Sequence, residues 1–161
     1  MLLRELLLAL QESGFLEVFK NHGFQITYKW EEVNNNYRQH NRYVIGFNSY
    51  RCKMICYYES GGISVLLGTL SDDFDKLESA GWVSLSDLIA YILKRPINWD
   101  NPKKGRPHKE QITEILSEIA SDFEPLSEQI LQMFQDQKIV VQWKPQLKQY
   151  VEEEFQRRFG P

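Results

Sequence analysis

The sequence has no glycine-rich phosphate loop, no nucleophile–base signature and no HxxxH or HExxH spacing, and its histidines, His22, His40 and His108, lie far apart. No local motif is therefore present for phosphoryl transfer, acyl transfer or zinc chemistry, and an enzyme here would need a site assembled from distant segments. Cysteine is scarce: Cys52 and Cys56 are the only two in 161 residues. If their segment is a strand they share one face about 13 Å apart, too far to bond to each other. A CxxxC pair without further Cys or a neighbouring His is also a poor zinc site, so both are expected in the core. No apolar run approaches the roughly 20 residues that span a bilayer. A formal charge of −3 argues against the whole-surface positive field of a general nucleic-acid binder.

What is present is a soluble, globular composition, 42% hydrophobic and 25% charged, in a chain the size of one domain. Met1–Leu10 is leucine-rich, but Arg4 and Glu5 interrupt it and no small-residue cleavage site follows in Gln11–Phe15, so it is expected to be a mature helix. Its leucines either close the core or form a homodimer seam. Ser13-Gly14 should break it, and Phe15, Leu16 and Phe19 supply another turn or two. Phe24, Ile26, Tyr28 and Trp30 alternate with Gln25, Thr27 and Lys29, predicting a strand with one wet face. Tyr43–Phe47, Cys52–Tyr58 and Ile63–Leu70 follow, joined by turn signals at Asn48–Arg51 and Glu59–Gly62, and complete a four-stranded antiparallel meander.

Ser71–Gly81 fits either a loop or one helical turn. Ser84 and Asp87 form a capping box for a helix that stops near Arg95-Pro96. Two helices are then expected as a hairpin, one carrying Ile112 to Phe123 and a second opened by Pro125. Lys138–Trp143 is too short to separate a strand from an extended connector, and a last helix is expected from Pro145. The predicted fold class is α+β: an N-terminal helix, the meander, then three to four C-terminal helices packed on or beside the sheet. One domain over 1–161 is expected, with 108–161 as a helical subregion.

Three features bear on function. The basic stretch Lys103, Lys104, Arg106 and Lys109 has a solvated connector as its plain explanation. Within it Lys104-Gly105-Arg106-Pro107 resembles the core of an AT-hook, with Lys104 where the first Arg belongs; the resemblance implies entry into the minor groove of AT-rich DNA. Asp72, Asp73, Asp75 and Glu78 lack the Gly and distal Glu of a calcium loop and read as a hydrated turn. Tyr37, Tyr50 and Trp99 stand in polar segments near Arg38, Arg42, Arg51 and Arg95, residue types enriched at binding hot spots.

The function expected from these features is non-enzymatic binding of another protein, in the manner of an inhibitor, an immunity protein or a chaperone. The surface would be built from the loops at 34–42, 48–51 and 96–106, with Asp72, Asp73 and Asp75 steering a basic partner. The alternatives are a small hydrolase-like enzyme, with His22 or His40 in its site, and a DNA-binding protein using residues 103–109. No cofactor, metal or membrane partner is expected, and the location expected is cytoplasmic.

Overall fold

A computed structural model describes residues 3–33, 41–59, 61–77, 81–98 and 108–160. The order is α1 (Leu3–Glu12), α2 (Phe15–Asn21), β1 (Gln25–Glu32), β2 (Arg42–Asn48), β3 (Lys53–Glu59), β4 (Gly62–Gly68), β5 (Val83–Ser84), α3 (Leu85–Leu93), α4 (His108–Met133) and α5 (Gln137–Phe159). The five strands form one antiparallel sheet in sequential order. This is the expected α+β class, with a short fifth strand added.

Local chemistry accounts for most boundaries. Ser49 closes the β2–β3 hairpin: its hydroxyl donates to the Cys52 carbonyl at 2.9 Å and accepts from the Cys52 amide at 3.1 Å. Gly23, at φ +88°, ends α2 in the left-handed conformation that L side chains disfavour, and lets the Phe24 amide reach back to the Phe19 carbonyl at 3.0 Å. The Ser84 hydroxyl caps α3 by accepting from the Asp87 amide at 3.3 Å.

One face of the sheet carries Tyr43, Ile45 and Phe47 of β2, Met54, Cys56 and Tyr58 of β3, and Val65 and Leu67 of β4. Apolar residues of all five helices join these side chains in one cluster. The α1 leucines point inward: Leu6 and Leu10 are fully buried and Leu8 remains 41% exposed, so this helix closes the core. Cys52 and Cys56 are buried free thiols in the same cluster, and burial pushes the Cys52 thiol up to about 12.

Three expectations need correction. Pro125 does not open a second helix; α4 runs unbroken from His108 to Met133 with Pro125 inside it. Lys138–Trp143 is neither strand nor connector but the first turns of α5, whose Asp136 cap accepts from the Lys138 amide at 2.6 Å, and Pro145 also lies inside that helix. A proline inside a helix costs roughly 3 kcal/mol. Burial on both sides offsets that cost, from Phe123 to Ile130 and Phe134 in α4 and from Val140 and Trp143 to Leu147 in α5. The third correction concerns β1. Strict alternation would put Ile26, Tyr28 and Trp30 on one face, but the register shifts between Ile26 and Tyr28. Ile26 pairs with Phe47 on the helix-covered face, whereas Tyr28 pairs with Gly46 and Trp30 with Val44 on the opposite one.

Candidate binding groove

The second face of the sheet is arranged in three cross-strand rows. Tyr28, Gly46, Ile55 and Leu66 are register partners; so are Trp30, Val44, Tyr57 and Ser64; so are Glu32, Arg42, Glu59 and Gly62. The first row lies under the segment after β4. Phe74 stacks on Tyr28 at 5.3 Å and on Trp82 at 6.1 Å, and Leu77 joins the same small cluster. Among the described residues, no helix contributes to this cluster.

Hydrogen bonds set the path of that segment. The Asp72 carboxylate accepts from the Thr69 amide at 2.7 Å and the Thr69 hydroxyl at 3.1 Å. Lys53 Nζ donates to the Asp72 carbonyl at 2.8 Å, and the Trp82 indole donates to the Asp73 carbonyl at 3.1 Å. Gly46 makes room for the result: a Cβ there would sit 2.8 Å from two Phe74 ring carbons and from the Tyr28 Cβ. Gly46→Ala is accordingly expected to destabilise the protein by about 1–3 kcal/mol, the usual cost of overpacking. A melting temperature equal to wild type would mean that Phe74 does not rest on the sheet.

The second row is the floor of a cavity of about 970 Å³, walled by Phe74, Asp75, Lys76 and Leu77. That is at the upper end of the range for ligand pockets. Trp30 is 39% exposed on it. The third row is the rim. Arg42 donates to the Tyr57 hydroxyl from Nε at 3.3 Å and Nη2 at 3.2 Å, and it pairs with Glu59 at 3.3 Å and Glu32 at 3.6 Å. The Tyr57 hydroxyl in turn donates to Glu59. Burial first, and that bond second, raise the Tyr57 phenol above its ordinary value, so it stays a neutral donor.

The sequence-predicted residues are dispersed. Tyr50 is 97% exposed in the β2–β3 turn, and Arg51 pairs with Glu128 of α4 at 2.9 Å. That turn lies at the opposite end of β2 from Arg42, six residues or about 20 Å away, and neither Tyr50 nor Arg51 lines the groove. Asp72 turns inward as a loop staple, Asp73 pairs with Lys76 at 3.4 Å, and Asp75 lines the groove. Tyr37, Arg38, Trp99, Lys103, Lys104 and Arg106 lie outside the described residues, as do Glu78 and His40. Lys109 pairs with Glu12 at 3.7 Å. His22 packs edge-on against Phe123 and reaches Glu124 at 3.1 Å, away from the groove.

Composition places Tyr28, Trp30 and Tyr57 in core strands. Only their pairing register sets Trp30 and Tyr57 in one row and puts Arg42 beside them. Among the described residues, no group of three or more His, Cys, Asp or Glu is placed to hold a metal ion, and no helix is long and apolar enough to cross a membrane. No protein-family model matches the chain, and no significant match is found among curated proteins or solved structures.

Proposed function

We propose that this chain is a non-catalytic binding protein whose recognition surface is the groove on the outer face of its sheet, and that its ligand is a segment of another protein. The observation that carries this reading is the floor row. Trp30, Val44 and Tyr57 line an open concavity, with Trp30 39% exposed, while the opposite face of the sheet is covered by helices. Tryptophan and tyrosine give large contact area with few rotors to immobilise, which is why they dominate binding hot spots. An inhibitor, an immunity protein or a chaperone would use such a surface. Two buried free thiols suit a reducing compartment, which favours action in the cytoplasm.

Trp30→Ala is the test. A half-exposed residue on an edge strand can be truncated with little effect on folding, whereas a hot spot loses about 2 kcal/mol or more, roughly thirtyfold in Kd. Wild-type protein is expected to capture one partner near stoichiometrically from a lysate of its source. Trp30→Ala should lose that capture while melting normally, and Tyr50→Ala, at the far end of the sheet, should retain it. Capture that survives Trp30→Ala and is lost with Tyr50→Ala would move the interface to the β2–β3 turn.

A further inference from the structure

We infer that the groove selects a partner segment presenting a lysine or arginine side chain beside an apolar or aromatic one, a specificity that rests on the groove being the recognition surface. The first reason is charge. Among the described residues, the charged side chains that line it are Arg42, Lys76, Glu59 and Asp75, and Glu32 stands beside Arg42 on the rim, so two cations face three carboxylates. Lys53 lies over the Phe74 ring and donates to the Asp72 backbone carbonyl, outside the groove lining.

The second reason is how Arg42 is engaged. Its Nε and Nη2 are taken by Tyr57, and its one charge is shared between Glu59 at 3.3 Å and Glu32 at 3.6 Å. Among the described residues, one carboxylate's worth of negative charge is left without a counter-ion on the rim. Arg42 stays 40% exposed, but an incoming anion there meets two like charges for one opposite one, whereas an incoming cation meets the excess of negative charge.

The third reason is length. The floor and rim rows are two residues apart along each strand, roughly 6.6 Å, which is about the reach of a lysine or arginine stem. A stem lying over Trp30 and Tyr57 gains aromatic contact along its methylenes and delivers its charged head to the solvent side of the rim carboxylates, Glu32 or Glu59. The apolar neighbour in the partner then faces Val44 and Leu66.

The probe is a random heptapeptide library displayed on phage, panned on the immobilised full chain and counter-selected on Trp30→Ala. Trp30-dependent peptides enriched in Lys or Arg next to an aromatic or branched aliphatic residue are expected. A synthetic peptide of the selected sequence should bind about tenfold more weakly to Glu32→Gln or Glu59→Gln, and more weakly again when salt screens the pair. Trp30-dependent peptides enriched in Asp or Glu would overturn the inference and leave the groove as the recognition surface. Peptides that bind Trp30→Ala as well as wild type, or no enriched sequence at all, would overturn both.

Discussion

Phe123→Ala is expected to cost the fold about 3–5 kcal/mol, the range for emptying a buried aromatic site. A domain of this size holds only about 5–15 kcal/mol in total. Phe123 is fully buried in the middle of α4, stacked on Phe19 at 4.4 Å and flanked by His22 at 5.4 Å. Phe19 in turn meets Phe15 at 4.3 Å and Phe24 at 5.5 Å. α2 is seven residues long, too short to hold itself together in water, and this aromatic cluster is what fixes it. Truncation therefore leaves a cavity and also removes the anchor of a helix. Urea denaturation should show a lowered midpoint, with the slope showing whether α2 is released before the rest. A loss below 1 kcal/mol would mean that α2 and α4 do not meet at this position.

Pro125→Ala should act in the opposite direction and stabilise the protein by about 1–2 kcal/mol. Proline at position 125 leaves the Ser121 carbonyl without its helical donor, and its ring crowds that turn, a cost of roughly 3 kcal/mol in a helix interior. Against this, alanine frees the unfolded chain and returns up to about 1 kcal/mol of the gain. Calorimetry should find the melting temperature raised by roughly 2–8 °C. A melting temperature that falls or stays constant would indicate that two helices meet at residue 125.

These prolines mark where the chain was hard to read. Pro125 and Pro145 carry the local signature of helix starts, and local preference for a break was overridden by apolar side chains buried on both sides of each. Turns were legible because their chemistry is local: Ser49 closes a hairpin within three residues, and Ser84 caps a helix within three. The groove was not, because it is a property of register. Tyr57 and Tyr58 are neighbours of like chemistry, yet one lines the groove and the other packs under the helices. Periodicity says that they differ without saying which side each takes. Arg42 was visible as a loop-flanking cation, but its link to Tyr57 joins strands fifteen residues apart.

The irregularity at Thr27 has a consequence for how this surface could vary by descent. Because the extra residue is absorbed there, a related chain with an alignment gap at this position would straighten β1 and still send Tyr28 and Trp30 to the groove. A gap two residues later would turn Trp30 towards the helices and erase the floor, though the amino-acid content of the strand would be almost unchanged. Kinship in recognition would then be judged by the reading frame of one edge strand, ahead of the percentage of residues shared.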